Sequence, residues 1–277
     1  MISAFPMSSS ISSDLSRPIG VFDSGIGGLT VVAELRRALP SERILYVGDT
    51  ARVPYGGKSP ETVTRYAREI SDLLVSERAK LIVVACNTAS ALALPSLAPD
   101  FAVPMIGVLE PGAAAAVKAT RSGRIGVIGT RATIGSDAYG KAIRRISQDL
   151  KVSAVACPLL VPLIEEGLFE DEVTATLLRR YLAPMLDEGI DTLVLGCTHY
   201  PLLKKTIARI CGNAVTLVDS AENCALAVKD LLATLPPTPP DPGLDILLTD
   251  SSEGFLRIAE KSLKLTIDSL EVRRLGS

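Results

Sequence analysis

The sequence predicts an α/β protein built from two similar doubly wound domains, whose mainly parallel sheets face each other across a central cleft. Three observations predict this fold. Short apolar runs alternate with longer helical patterns along the chain. The chain is 47% hydrophobic but only 4% aromatic, so its core must consist of the aliphatic residues typical of parallel sheets covered by helices. Finally, three segments of the first half recur in the second half, and 277 residues suffice for two medium domains.

Eight apolar runs of strand length predict the two sheets. They are bounded by turn formers and are separated by amphipathic stretches such as residues 61–79 and 171–189. A further strand–helix–strand pattern follows a proline-rich connector at residues 236–243 and is assigned to the first domain. The eight predicted strands cover residues 18–22, 43–48, 80–86, 103–109, 124–130, 152–157, 191–197 and 215–220.

An internal repeat divides the chain. Three segments resemble three later ones in the same order, at offsets of 106, 111 and 110 residues, which is typical of two domains with one fold. The paired segments are 18–25 with 124–131, 81–97 with 192–207, and 103–117 with 215–228. The predicted organisation is a flexible tail at 1–17, a first domain at 18–112 plus 224–277, and a second domain at 113–223.

Composition excludes several classes of function. The net charge is −2 and no Lys/Arg run resembles a phosphate-binding patch, so nucleic acid is not an expected partner. Every apolar stretch of membrane-spanning length is interrupted, which argues against a membrane protein. Five widely spaced cysteines without C-x-x-C and a single histidine, His199, argue against a disulfide framework and against a metal site. The serine-rich N-terminus lacks a basic segment, so we expect a cytoplasmic protein.

The motif VFDSGIGGLTV follows the first predicted strand. Its glycines suggest a dinucleotide loop, but they are spaced G-x-G-G rather than G-x-G-x-x-G, and the charge of Asp23 would oppose a pyrophosphate. A small zwitterion suits Asp23 and Ser24 better, because the carboxylate can accept from an ammonium group or orient a neighbouring acid or base.

The motif VVACNTASA places Cys86 between a strand and a helix. A buried structural cysteine is one interpretation. The other is a reactive thiol, since a helix N-terminus lowers a thiol pKa and the thiolate is the reactive form. Asn87 and Thr88 add donors suited to a carboxylate.

The motif VLGCTHYPLL puts Cys197 at the matching position of the second half. Thr198 then corresponds to Asn87, and His199 to Thr88. A Cys–His nucleophile of the protease or acyltransferase type is one hypothesis, but it leaves Cys86 without a role. Facing domains would instead place the two cysteines on opposite sides of one Cα, as stereoinversion requires. Asp23 beside Cys86 and His199 beside Cys197 are the expected helpers.

Further candidates lie on loops at the same predicted sheet edges. The loop after the second strand offers Tyr55 and the Gly56 backbone as donors to a substrate. Thr130 ends another strand, and Glu165 lies in an acidic turn that could equally be plain surface. Cys157, Cys211 and Cys224 are interpreted as structural.

At these motifs the sequence resembles the glutamate racemases of the aspartate/glutamate racemase superfamily, from residue 18 to about residue 228. The resemblance implies interconversion of L- and D-glutamate without pyridoxal phosphate or metal, D-glutamate supply for peptidoglycan, and a homodimer. It implies that Cys86 deprotonates the D-enantiomer and Cys197 the L-enantiomer. It also implies a substrate site formed by Asp23, Ser24, Tyr55, Gly56, Asn87, Thr88, Thr130, Glu165, Thr198 and His199.

Two alternatives remain open from the sequence. The same mechanism could act on aspartate or another acidic amino acid, although the VACNTAS and GCTHYPL pair favours glutamate. A two-domain protein could also clamp a small anion without turnover, but pure binding has no use for two thiols at matched positions.

Overall fold

The computed structural model describes residues 16–236, 240–251 and 253–275. Most of the predicted N-terminal tail and the middle of the proline-rich connector therefore lie outside the described residues. The strands are β1 Ile19–Asp23, β2 Arg43–Gly48, β3 Leu81–Val84, β4 Met105–Gly107, β5 Arg124–Gly129, β6 Lys151–Ala156, β7 Thr192–Gly196, β8 Thr216–Asp219, β9 Gly243–Leu248 and β10 Ser269–Val272.

The helices lie between these strands, and a π-helical segment, Arg257–Ser262, follows the last helix. None of the helices within the described ranges is long and apolar enough to cross a membrane. The helices are α1 Leu29–Ala38, α2 Pro60–Ser76, α3 Asn87–Leu92, α4 Leu94–Leu97, α5 Leu109–Ala119, α6 Arg131–Gly135, α7 Ala138–Ile146, α8 Leu160–Glu165, α9 Glu172–Asp187, α10 Lys204–Cys211, α11 Ser220–Leu232 and α12 Glu253–Leu256.

Two parallel sheets confirm the predicted fold class. The first has the order β10-β9-β2-β1-β3-β4 and the second the order β6-β5-β7-β8, with every pairing parallel. The order β2-β1-β3-β4 repeats as β6-β5-β7-β8, so the strands matched by the sequence repeat occupy equivalent places. The C-terminal strands β9 and β10 extend the first sheet beside β2, as the strand–helix–strand pattern predicts.

Each sheet is covered by helices on both faces. In the first sheet one face packs against α1 and α11 and the other against α2 and α3. In the second sheet α5 and α7 cover one face, and α8, α9 and α10 cover the other. We call the six-stranded sheet with α1–α4, α11 and α12 the first lobe, and the four-stranded sheet with α5–α10 the second lobe.

The local sequence explains where the long helices begin and which face they bury. Ser59 caps α2 by accepting from the Thr62 N–H at 3.3 Å, and Pro60 occupies the first helical position. Within α2 the buried residues recur at three- and four-residue intervals, which gives one apolar face: Val63, Ala67, Ile70 and Leu74.

The structure shortens one predicted strand and shows where the predicted domain limits fall. The strand expected at residues 103–109 is only Met105–Gly107, because Val108 already has helical backbone angles and α5 begins at Leu109. Residues 112 and 223, the predicted domain limits, lie within the continuous helices α5 and α11. Since Leu109, Ala113 and Ala116 of α5 belong to the core of the second sheet, the chain passes between lobes just before α5. The division into domains itself stays a prediction.

Candidate active site

The C-terminal ends of the central strands in both sheets meet at one cavity, the expected ligand position in open α/β sheets. It contains both predicted thiols. Every predicted site residue lines it except Asp23 and Glu165, which lie behind the lining. The lining residues are Ser24, Val53, Pro54, Tyr55, Gly56, Cys86, Asn87, Thr88, Thr130, Val161, Cys197, Thr198 and His199.

The cavity is narrow because the lobes are closed on each other. Its free space is about 20 Å³, close to the ≳10–15 Å³ that one water molecule needs. A Cβ atom on Gly27 of the first lobe would lie 2.4 Å from the His199 Nδ1 atom of the second. An amino acid can therefore enter only when the lobes move apart.

Cys86 occupies the N-cap position of α3, two residues after β3 ends. It is buried, and burial followed by the negative charge of Asp23 raises the pKa of its thiol to about 12. Hydrogen bonds from the Ala89 backbone and the Ser24 side chain oppose this rise without cancelling it. The expectation that the helix N-terminus lowers this pKa is thus wrong for the closed site, because desolvation outweighs the end of a six-residue helix.

Asp23 is fully buried at the end of β1 and forms hydrogen bonds both with the loop at residues 25–28 and with the second lobe. Its Oδ2 atom accepts the N–H groups of Gly25 at 3.1 Å and Gly28 at 3.0 Å. Its Oδ1 atom accepts the hydroxyl of Thr198 at 3.3 Å. These bonds fix the carboxylate, so it acts on Cys86 through its charge. The glycines fit this loop because a Cβ on Gly28 would lie 2.4 Å from the Asp23 Cβ.

Cys197 follows β7 and begins a chain of three side chains. Its Sγ atom lies 3.8 Å from His199 Nδ1, and His199 Nε2 lies 3.1 Å from Glu165 Oε1. Burial lowers the pKa of His199, but the hydrogen bonds to Cys197 and Glu165 outweigh it and raise that pKa to about 10. The raised pKa favours the protonated imidazolium, whose positive charge then lies next to the Cys197 sulfur.

Polar groups of both lobes meet at the cavity that holds the two thiols. The Thr88 hydroxyl lies 3.0 Å from that of Thr130 and 3.2 Å from that of Thr133. Asn87 is 2% exposed, and its buried Nδ2 atom has no hydrogen-bond partner among the described residues. Because an unpaired buried donor is costly, this amide is suited to bind an acceptor brought by a ligand.

The loop after β2 brings Tyr55 and Gly56 to the cavity lining. The hydroxyl of Tyr55 donates to Asp49, and the role of Tyr55 as a substrate donor stays a prediction. Asp49 also accepts from the Arg52 guanidinium at 2.8 Å and from the Thr249 hydroxyl at 2.9 Å, and it is fully buried. This network holds the loop against the sheet, which leaves the backbone of Tyr55 and Gly56 at the cavity.

Sequence reasoning missed several residues at the site. Val53, Pro54 and Val161 supply apolar walls. Thr133 could have been found from the T-x-x-T spacing, since Thr130 caps α6 by accepting the Thr133 N–H at 3.2 Å. No pattern near Tyr139 indicates that its hydroxyl reaches Asn87, because the two residues lie in different lobes.

A model of the Asp/Glu/hydantoin racemase family matches residues 19–228, and this range contains both thiols. The chain belongs to this racemase family. Among curated relatives, the glutamate racemase of Geobacter metallireducens is 53% identical over 89% of the chain and 93% of that protein. The glutamate racemase of Chlorobaculum tepidum is 57% identical over 80% of the chain and 82% of that protein. The resemblance seen in the motifs is confirmed, and with it the prediction of an amino-acid racemase.

Solved racemase structures agree with this family assignment. Glutamate racemase RacE1 of Bacillus anthracis is 42% identical and superposes with a TM-score of 0.89, over 93% of this chain and 97% of that one. The Francisella tularensis glutamate racemase in complex with D-glutamate is 37% identical with a TM-score of 0.86, over the same shares of the two chains. The aspartate racemase of Picrophilus torridus, at 18% identity and a TM-score of 0.54, shares the fold.

Proposed function

We propose that this chain interconverts L- and D-glutamate through two cysteine bases, without a cofactor. The observation that carries the proposal is the pair Cys86 and Cys197. Each cysteine follows the carboxyl end of a strand, and both line the same closed cavity. Membership in the racemase family and the identity of about half to glutamate racemases support the reaction and the substrate.

The reaction needs one thiolate and one thiol. The thiolate removes the α-proton, and the thiol on the opposite face then gives its proton to the resulting carbanion. The enzyme ends with the two protonation states exchanged, so the reverse reaction begins from the other base. We assign Cys197 as the base for L-glutamate and Cys86 as the base for D-glutamate. His199, held by Glu165, stabilises the Cys197 thiolate.

The polar lining is suited to a dicarboxylic amino acid. Carboxylate oxygens can accept from the free Nδ2 group of Asn87 and from the hydroxyls of Thr88 and Thr130. The substrate ammonium is assigned to the side of Asp23 and Ser24, where the fixed carboxylate supplies the negative charge. Thr198 and the Gly56 backbone complete the proposed contacts.

Racemisation in D2O tests this function directly. The purified protein is incubated with L-glutamate without added cofactor, and the circular dichroism signal and α-proton exchange are followed together. We expect loss of optical activity with incorporation of deuterium at Cα. Binding of glutamate by calorimetry without exchange would instead identify a protein that clamps an anion without turnover.

Single substitutions test the two-base assignment. Cys86→Ser and Cys197→Ser should each nearly abolish racemisation, because each removes the base of one direction and the acid of the other. Cys211→Ser is a matched control, since this cysteine lies at the end of α10 away from the cavity lining. Full activity in either active-site variant would contradict the assignment. Comparison of kcat/KM for glutamate and aspartate tests the substrate.

The cellular role follows from the proposed reaction. We place the enzyme in the cytoplasm, where a reducing environment keeps catalytic thiols free, and assign to it the supply of D-glutamate for peptidoglycan. We also propose a homodimer, which sedimentation equilibrium of the purified chain would test.

A further inference from the structure

The carboxamide of Asn87 is held from one side only. Its Oδ1 atom accepts the hydroxyl of Tyr139 at 2.6 Å, while its Nδ2 atom is buried and unpartnered beside the cavity. The two ends of a carboxamide have nearly the same shape, so packing alone does not decide which end faces a ligand. The donor or acceptor character of the neighbour decides it.

The Tyr139 hydroxyl is a hydrogen-bond donor because it stays protonated. Burial raises the pKa of Tyr139 well above its usual value, although a hydrogen bond with Ser220 opposes this rise, so the phenol keeps its proton. The Ser220 hydroxyl donates to the backbone oxygen of Leu195 at 3.0 Å. In the observed geometry the Tyr139 hydroxyl donates to Asn87 Oδ1, because an amide oxygen can only accept.

The ring of Tyr139 cannot easily move away. A Cβ on Gly196 would lie 3.1 Å from one ring carbon, and a Cβ on Gly112 would lie 3.4 Å from another and from the phenol oxygen. The two glycines therefore enclose the ring closely on the second lobe. Since Asn87 begins α3 of the first lobe, the hydrogen bond crosses the cleft and forms only when the lobes close.

We infer that Tyr139 is a positioning residue for substrate recognition: by donating to Asn87 Oδ1 across the closed cleft, it turns the Asn87 NH2 group toward a substrate carboxylate. The inference rests on the proposed glutamate racemase function. It assigns to Tyr139 no contact with the reacting atoms. It links lobe closure to the appearance of a correctly oriented donor in the site.

A double-mutant cycle between Tyr139→Phe and Asn87→Ala tests the inference. Tyr139→Phe removes one oxygen and keeps the enclosed ring. In the wild-type background it should lower kcat/KM for both enantiomers by about 3- to 10-fold, the range of one hydrogen bond. Most of this loss should be a rise in KM, with kcat within about threefold, because the proton-transfer groups are unchanged. In the Asn87→Ala background the same change should cost less than about twofold.

Tyr200→Phe serves as the control for loss of a buried phenol hydroxyl in the same lobe. Its hydroxyl donates to the backbone oxygen of Cys157 at 3.0 Å and does not contact Asn87. Its effect, whatever its size, should therefore be equal in the Asn87 and Asn87→Ala backgrounds. An equal cost of Tyr139→Phe in both backgrounds, or no cost in either, would overturn the inference.

A second variant keeps the inference testable if Tyr139→Phe does not fold. Asn87→Asp retains the acceptor for Tyr139 but places an oxygen where the NH2 group stands. It should raise KM more than Asn87→Ala does, because an anionic oxygen then faces the substrate carboxylate. Equal KM values would show that this side chain does not face the substrate carboxylate and would overturn the inference. An inactive wild-type enzyme would instead refute the proposed racemase function, so the two failures are distinguishable.

Discussion

Replacing Gly56 with alanine should hold the two lobes apart at the mouth of the site. An added Cβ would lie 2.6 Å from the Thr130 Cβ atom and 2.8 Å from its Cγ2 atom. Carbon atoms in contact prefer a separation of roughly 3.5–4.0 Å, so the lobes would have to separate by about 1 Å at this point. Thr130 cannot rotate away freely, because its hydroxyl caps α6.

The expected magnitude follows from this overlap. Forcing an extra methyl group into a close contact costs about 1–3 kcal/mol, which corresponds to a loss of about 5- to 150-fold in kcat/KM when it opposes the active, closed state. A misplacement of about 1 Å between catalytic groups is also enough to cost about 100-fold. The assay is racemisation of L- and D-glutamate, followed by circular dichroism in both directions.

Gly57→Ala is the matched control one residue away. A Cβ there meets no atom within 4 Å, and neither glycine has a positive φ, so the backbone tolerates alanine at both positions. Gly57→Ala should keep kcat/KM within about twofold of wild type, and far-ultraviolet circular dichroism should show both variants folded. Equal activities of the two variants would refute the reasoning that catalysis needs this close approach of Gly56 to Thr130.

Three further predictions concern charge. Burial and the charge of Asp23 raise the pKa of the Cys86 thiol to about 12, so the difference in ultraviolet thiolate absorbance between wild type and Cys86→Ser should stay near zero from about pH 7 to pH 10. Asp23→Asn should make this absorbance appear at lower pH, and a full thiolate signal at neutral pH would contradict the raised pKa. Glu165→Gln removes a charged acceptor that raises the pKa of His199, so the alkaline limb of the pH profile of kcat/KM should move to lower pH. An unmoved limb would show that Glu165 does not set the pKa that limits activity at high pH. Burial raises the pKa of Asp191, but hydrogen bonds from threonine hydroxyls and two backbone N–H groups outweigh it and hold this pKa below its usual value. Asp191→Asn should therefore lower the midpoint of urea unfolding at pH 7. The difference from wild type should shrink as the pH falls below about 4, because the aspartate then loses its charge.

The position of both thiols could be predicted because it depends only on the succession of strand, cysteine and helix along the chain. Cys86 and Cys197 each follow an apolar strand and precede a helical turn, and parallel strands bring their carboxyl ends to one edge. The sequence repeat also predicts equivalent strand order in the two sheets, and the observed orders agree. These features need only periodicity and spacing.

Other features depend on which lobe surfaces meet, and the sequence does not encode this in any local pattern. The bond from Tyr139 to Asn87 joins residues 52 positions apart across the cleft. The hydroxyl of Tyr55 turns to Asp49 because the loop is held by that buried carboxylate. The pKa of Cys86 likewise depends on burial, which the helix position alone does not reveal.

The two matched thiols work in unlike surroundings, and Asp23 accounts for part of the difference. Its negative charge raises the pKa of Cys86 and also contributes to the raised pKa of His199. Both effects favour a resting state with a neutral Cys86 thiol and a cation beside Cys197. Under the proposed assignment, that state suits removal of the proton of L-glutamate by Cys197. In the proposed reaction Cys86 must ionise to act on the D-enantiomer, and a substrate ammonium beside Asp23 would offset the charge that opposes this ionisation. The bound substrate would thereby complete the base that deprotonates it.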